Sequence, residues 1–511
     1  MRKASFRDIA PENEVRRLIG PADIEVRGLA YRSQDVVPGS VFVAIPGAHT
    51  DGHKFIPQAL EAGATALIVK NLPEKIGREI AIAQVDDPRR TLARAAARFY
   101  EHPSRRIPLI GITGTNGKTT TTYLLEAIWK AAGNKTAVIG TVNYRLGEEA
   151  RPALVTTPES LDIERLLSEM IEAGADSAVI EVSSHALEQG RVWGLRFAAR
   201  GFSNLSRDHL DYHGTMDAYF EAKARFFTDP EFADSGRAAI NADDPYGLKL
   251  IHALGDKALP YGIDTKMENV LRPLEWRADL SGIRARIGSP TATYNVNSRL
   301  LGRANLYNIL CAIALAEIVQ VSPRAIERGI GALDRVPGRL EQAPNNRGVL
   351  VAVDYSHTPD ALEKAILTLK ALTRGRLIVV FGCGGDRDRG KRPIMGKVAA
   401  ELGDVAIVTS DNPRSEEPMA IINEILAGIG TSRRVEADEL AGGKGIYWVE
   451  PDRRAAIFAA IDSAKEGDTV LIAGKGHENY QILGDKRIHF DDREVAGEAL
   501  GAKETDKPQI A

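Results

Sequence analysis

Gly114, Thr115, Asn116, Gly117, Lys118, Thr119 and Thr120 stand between an apolar run, 107–112, and a helical-looking segment, 120–132. Backbone N–H groups at a helix start, with a lysine among them, make a site for phosphate oxygens. The Thr119 hydroxyl falls where such loops place a magnesium ligand. The string departs from the general nucleotide-loop pattern at Ile112, where that pattern has glycine. An ordinary glycine turn is the plain alternative, but Gly117-Lys118-Thr119 after an apolar strand is far more specific. ATP or GTP is expected here.

Magnesium takes oxygen ligands, and a nucleotide supplies only some of them. Glu181 ends the apolar run 177–182, at the kind of strand end where open α/β sheets expose their working residues. A solvated or turn-capping carboxylate is the alternative; a place one strand beyond the loop favours a metal role. Asp208, His209, Asp211 and His213 crowd into six positions. Such clusters are often structural, and the spacing is not a zinc pattern. Lys223 lies on a helical segment among aromatic residues. Spacing alone favours a lysine whose stem covers apolar surface while its ammonium reaches water.

These residues need a scaffold, and 511 residues suggest about three domains. A hydrophobic fraction of 44% and a charged fraction of 26% are ordinary for a globular protein. The net charge of −3 gives no reason to expect nucleic acid or an anionic membrane as a partner. Two cysteines, Cys311 and Cys383, cannot make a disulfide framework and fit a reducing compartment. The first residues carry basic groups without the apolar core of a secretory signal, and no window approaches the roughly 20 apolar residues of a membrane helix. A cytoplasmic protein acting as a monomer is expected.

Residues 1–106 read as a small α/β unit with strands at 41–45 and 65–70, a helix between them, and another at 89–101. HPSRRIP (102–108) reads as a linker. Residues 107–337 alternate strands (136–140, 177–182, 201–205) with helices (159–172, 215–227), which argues for a largely parallel sheet covered on both faces. Short alternating segments at 264–301 suggest a hairpin insertion, and helices at 304–319 and 322–333 close the unit. Residues 338–511 repeat the alternation, with strands at 349–353, 377–381, 405–409 and 469–473. Helices fill the gaps at 359–372, 393–402, 418–426 and 452–465. This third unit is of doubly wound type, with a polar tail beyond Gly501 expected to fray.

Taken together, GITGTNGKTT, VIEVSSHAL, NLSRDHLDYHG, YFEAKARFF, LGRANLYNIL, VPGRLE, DYSHTPDAL, FGCGGDRDRGKRP, SDNPR and AGKGHE resemble the Mur ligases of peptidoglycan synthesis, in the family's order and over nearly the whole chain. The closest likeness is to the branch that adds the third residue of the stem peptide. The resemblance implies an α/β protein of three domains: an N-terminal one for a UDP moiety, a central P-loop ATPase-like one and a C-terminal Rossmann-like one. It implies that ATP phosphorylates the D-Glu carboxylate of UDP-MurNAc-L-Ala-D-Glu and that an amine attacks the acyl phosphate.

In that scheme Lys118 and the loop from Gly114 to Thr120 hold phosphates, while Thr119 and Glu181 hold one Mg²⁺. His209 serves a second. Lys223 matches the family's carbamylated lysine, modified by CO2, which overturns the surface role that spacing suggested. Asn305 and Asn308 match asparagines near the adenine, and Arg339, Asp354 and His357 would close the C-terminal unit onto the nucleotide. Tyr31, Ser33, Ala48, His49 and Thr50 match contacts to the nucleotide sugar, although YRSQ departs from the usual D-S-R. Thr156, Thr157, Ser183, Gln189 and Arg191 match central contacts to the same substrate. Helix capping ahead of Pro158 and Glu159 is a second role for the two threonines.

Asp411, Asn412, Pro413 and Arg414 form the D-N-P-R string that in the family accompanies meso-diaminopimelate, whereas lysine-adding relatives lack the arginine. The physics agrees: diaminopimelate differs from lysine by a second carboxylate, which an arginine can grip with two parallel hydrogen bonds. Arg387 is the second candidate clamp. Asp411, Asn412, the Gly474 carbonyl and Glu478 are expected to receive the distal ammonium. A lysine-adding relative, a folylpolyglutamate synthetase and a nucleotide-gated scaffold are the competing readings. SDNPR and the AHTDG segment at 48–52 argue against the first two. The joint presence of Lys118, Glu181, His209 and Lys223 argues against the third.

Overall fold

The computed structural model describes residues 4–10, 12–47, 50–74, 80–232 and 235–501. Three sheets organise them. The central one runs Glu149–Pro152, Asn143–Leu146, Thr136–Ile139, Ser177–Glu181, Leu109–Thr113, Ala199–Phe202, Ala238–Asn241, Ala258–Tyr261. The last six strands pair in parallel, and the first two add an antiparallel hairpin at one edge. LIGIT and SAVIE are buried along their whole length, as strands covered on both faces must be.

The C-terminal sheet runs Glu341–Gln342, Leu350–Asp354, Thr469–Ala473, Leu377–Phe381, Val405–Val408, Ile446–Val449, Arg433–Arg434, parallel except at its first member. A smaller sheet near the N-terminus runs Val15–Ile19, Ala81–Val85, Ala66–Val69, Ser40–Val43, Gly28–Ala30. Side-chain caps start many of the helices: Asp87 accepts from the Arg89 and Arg90 amides, Thr215 from Ala218 and Thr358 from Ala361. The candidate site residues gather at strand carboxyl ends. Glu181 and Asp354 are the last residues of their strands, and the segments holding Gly114, Asp411 and Gly474 follow theirs directly.

Some expectations are corrected. HPSRRIP is no open linker, because Pro103–Arg106 forms a helical turn with proline at its first position and His102 at φ 50 before it. The segment 264–301 holds three antiparallel strands, Arg272–Asp279, Gly282–Gly288 and Thr293–Ser298, where a hairpin was expected. A polar hairpin, Tyr480–Leu483 with Lys486–His489, and the helix Asp492–Ala499 follow the last parallel strand. The tail from 502 onward, expected to fray, lies outside the described residues, as do Ala48 and His49. Among the described residues no helix is long and apolar enough to cross a membrane.

Candidate active site

The loop between Thr113 and Lys118 owes its shape to two glycines with φ of 141° and 89° at Gly114 and Gly117. A Cβ on Gly117 would stand 2.3 Å from Asn308 Oδ1, so the loop and the asparagine helix are packed to glycine tolerance. The Lys118 ammonium curls over its own loop and donates to the carbonyls of Gly114 (2.8 Å) and Thr115 (2.9 Å). Burial holds its pKa down against the opposing pull of Glu181 and Asp208. Thr119 Oγ1 donates to Glu181 Oε2 at 3.1 Å, and Thr141 donates to the same carboxylate through N–H (3.0 Å) and Oγ1 (2.8 Å). Arg339 Nη2 reaches Thr119 Oγ1 at 3.2 Å.

Lys223 is only 1% exposed, and its Nζ donates to the Gly114 carbonyl at 3.0 Å. It lies over the Tyr219 ring and pairs with no carboxylate among the described residues. Burial, with Lys118 nearby, drives its pKa well below the usual amine range. Its ammonium does not reach water, so the surface role suggested by spacing is excluded. His209 sits at φ 53 with its amide donating to Asp208 Oδ1 (2.9 Å), its ring 4.9 Å from that of His185. Burial lowers both imidazoles to about 4, so both are neutral at neutral pH. No group of three or more His, Cys, Asp or Glu side chains among the described residues could hold a metal by itself. The oxygens of Thr119 and Glu181 beside a phosphate loop are nevertheless hard donors that suit a magnesium ion sharing nucleotide oxygens.

Asn305 and Asn308 are buried, the first donating to the Leu301 carbonyl (2.8 Å) and the second to Asn305 Oδ1 (3.0 Å). Asp354 accepts from the Leu340 amide (2.8 Å), and its carboxyl is raised by burial despite Arg339. His357 Nδ1 donates to the Tyr355 carbonyl at 2.9 Å. Thr157, Ser183, Gln189 and Arg191 form one network rooted at Glu181. Thr157 Oγ1 donates to the Glu181 carbonyl (2.8 Å) and accepts from the Ser183 amide (3.0 Å). Arg191 donates to the Thr157 carbonyl (2.9 Å) and to Gln189 Oε1 (2.7 Å). Thr156 meets Thr141 at 3.1 Å, and the cap of the helix Ser160–Glu172 is Glu159, so neither threonine caps it. Tyr31 donates to Asp162 (2.8 Å), Ser33 to Gln58 (2.8 Å), and the Thr50 carbonyl accepts from Gly47 (3.0 Å).

In the C-terminal unit, a Cβ placed on Gly384 would lie 2.8 Å from Arg414 Nη1 and 3.8 Å from Arg387 Cγ, so the Arg414 guanidinium and the aliphatic stem of Arg387 both pass this glycine. Arg414 takes φ 53, its amide donates to the Ile482 carbonyl (3.1 Å), and Nη1 donates to the Gly385 carbonyl (2.9 Å). Arg387 donates to the Asp386 carbonyl (2.8 Å). Neither pairs with a carboxylate among the described residues. Asp411, by contrast, is engaged: Lys475 Nζ lies 3.3 Å away, and Lys475 with Arg453 holds the carboxyl low against burial. Glu478 accepts from Asn412 Nδ2 (2.9 Å), and burial next to Asp411 raises its pKa. Gly474, at φ 122, and Pro413 are both buried, the first against Asp411 and Arg453.

Several participants escaped sequence reasoning. Asp208 and His185 stood in quoted motifs without a role, and Lys475 stood inside AGKGHE. Nothing local signals the buried pair Arg453–Asp492 (2.6 Å), whose arginine also donates to the carbonyls of Ser410 and Ala473 behind the pocket. Asp360, in the first turn of Pro359–Lys370, meets Asn116 of the phosphate loop.

Known proteins match along the whole architecture. Three family descriptions align in chain order: the Mur ligase family, catalytic domain, at 25–100, the Mur ligase middle domain at 112–316, and the Mur ligase, glutamate ligase domain, at 338–476. A protein of Geobacter metallireducens named UDP-N-acetylmuramoyl-L-alanyl-D-glutamate–2,6-diaminopimelate ligase is 47% identical, over 95% of this chain and 98% of that one. One of the same name from Solibacter usitatus is 46% identical over 94% of each. A solved structure described by that name superposes with a TM-score of 0.69 at 33% identity, covering 98% of this chain and 99% of that one.

Proposed function

The chain belongs to the Mur ligase family, and from that premise we propose that it joins meso-2,6-diaminopimelate to UDP-MurNAc-L-Ala-D-Glu at the expense of ATP. The observation that carries the choice of amino acid is the pair Arg414 and Arg387, which both pass Gly384 and have no carboxylate at ion-pair distance among the described residues. A second carboxylate is the feature that separates diaminopimelate from lysine, and a guanidinium grips it in a planar fork. With lysine bound, that guanidinium stays desolvated and unmatched, the kind of mismatch worth on the order of 10⁴ in discrimination.

A carboxylate is a poor acyl donor because its leaving group would be oxide. Transfer of the γ-phosphoryl group to the D-Glu carboxylate supplies a better one. The amine then attacks, and the tetrahedral intermediate expels phosphate. Positioning and charge neutralisation are the protein's contribution. Lys118 and the loop amides from Gly114 to Thr120 hold phosphate oxygens, with Arg339 approaching from the far side. Asn305 and Asn308 line the adenine end, and Asp354 and His357 face the nucleotide from the C-terminal unit. Bound magnesium would neutralise phosphate charge, with Thr119 and Glu181 holding one ion and His209 with a carbamate of Lys223 a second. A neutral, buried amine is the form that adds CO2, losing a proton as the N–C bond forms, and burial with Lys118 nearby shifts Lys223 toward that form.

The Thr157–Arg191 network and the Tyr31 and Ser33 region serve the nucleotide sugar in this reading. At the amine end, Glu478 is the carboxylate left to meet the distal ammonium, because Asp411 stays paired to Lys475. We assign 1–106 to the UDP-sugar unit, 107–337 to the ATP unit and 338–511 to the amino-acid unit, in a cytoplasmic monomer. The test is an amino-acid panel with UDP-MurNAc-L-Ala-D-Glu and ATP, read as ADP formed. Turnover with diaminopimelate and little with lysine is expected; equal turnover overturns the pocket assignment.

A further inference from the structure

Asp360 belongs to the amino-acid unit, yet its carboxylate is bonded to the phosphate loop. Its Oδ2 accepts from Asn116 Nδ2 at 2.7 Å and from Ser206 Oγ at 2.8 Å, partners 244 and 154 residues away. A carboxylate only accepts, so the Asn116 amide must turn its NH2 toward it. The rest of Asn116 is fixed from the other side. Its N–H donates to Asn204 Oδ1 (3.0 Å), and its carbonyl accepts from Ser203 Oγ (2.6 Å) and Asn204 Nδ2 (3.1 Å). An acidic residue in a helix's first turn complements the helix dipole without any partner, and Lys364 at 2.9 Å already supplies a counter-charge. Neither explains two convergent donors from the nucleotide unit.

Resting on the reading above, we propose that Asp360 is a positioning residue that ties the amino-acid unit to the phosphate loop, setting the bound amine in line with the acyl phosphate. Its helix follows Leu350–Asp354, and the amine pocket hangs from neighbouring strand ends of the same sheet, so a tether at Asp360 fixes that pocket relative to the loop. Another crossing contact, Arg339 to Thr119, grips the loop's other end. Loss of the Asp360 tether leaves phosphoryl transfer intact and lets the amine drift. Water then takes the acyl phosphate, returning the carboxylate and releasing phosphate.

The readout is the ratio of ADP to tripeptide with all three substrates present. Wild-type protein is expected near one. Asp360→Ala is expected to raise the ratio at least about twofold and to lower kcat for amide formation by roughly tenfold or more, since small misplacement of reacting groups is costly. The KM for ATP should stay within about twofold of wild type. Asp360→Asn, which keeps an acceptor oxygen, should recover part of the coupling. Ser206→Ala removes one donor without touching the helix, and it should raise the same ratio less; it decides the matter if Asp360→Ala does not fold. A ratio of one in every folded variant overturns the tether. Failure of the wild-type protein to form tripeptide overturns the functional reading itself.

Discussion

Arg414 combines an unusual backbone with an unmatched charge, and both bear on what its removal does. Arg414→Ala should raise the KM for diaminopimelate and lower kcat/KM by about 30-fold to 1,000-fold, the range for truncating one side of a buried charge pair of about 2–4 kcal/mol. Nucleotide affinity, measured by ADP titration, should not move. Lys223→Ala should cost roughly 10²–10³ in ligation rate, as removal of one charge-stabilising group does. Partial recovery with added formate or acetate would mark the missing group as a carboxylate, and a fully active alanine variant would remove the carbamate from the scheme. At this scale the sequence was informative where chemistry is written in a short string, as at Lys118-Thr119 or Asp411 to Arg414. It was silent where pairing is long-range. Asp411 looks free in SDNPR, and only the fold brings Lys475 beside it.

The elements behind the amine pocket are joined by one fully buried ion pair. Arg453, on the helix Arg453–Ser463, donates through Nε (2.8 Å) and Nη2 (2.6 Å) to Asp492, and both side chains are wholly enclosed. Asp492→Ala leaves a buried guanidinium without its counter-charge. It should destabilise the fold by about 3–5 kcal/mol, read by urea denaturation. Among elements, the long apolar parallel strands were legible because runs such as LIVVF admit little else. The edge hairpin Asn143–Leu146 with Glu149–Pro152 was not, nor was Tyr480–Leu483 with Lys486–His489. Glu149–Pro152 and Lys486–His489 are exposed throughout and carry no burial pattern to read. Yet the second hairpin anchors Arg414 through Ile482 and Gly484.

For the whole molecule, one helix that packs across the seam between the N-terminal and central units carries a pH dependence. The helix Ser160–Glu172 packs on Pro88–Phe99 and Pro103–Arg106. Its Glu164 is 1% exposed with neither carboxylate oxygen bonded among the described residues, and burial pushes its pKa up to about 8 from 4.5. The folded state therefore keeps a proton that the unfolded chain releases above pH 4.5, so stability falls as pH rises from there to about 8. The loss amounts to something on the order of 3 kcal/mol by pH 7. Glu164→Gln, which cannot ionise, should flatten the profile of denaturation midpoints between pH 5 and 8, and parallel profiles would contradict this. Apart from Leu161 and Leu301, each of the six buried apolar clusters among the described residues stays within one unit. Polar links such as Arg339 to Thr119 and Asp360 to Asn116 span the seam between the central and C-terminal units. With the amino-acid pocket in the last third, as proposed, acceptor choice is modular: a last third grafted from a relative with a different amino-acid preference would inherit intact interiors on both sides of the join. A new amino acid could be recruited into the stem peptide by recombination as readily as by point substitution.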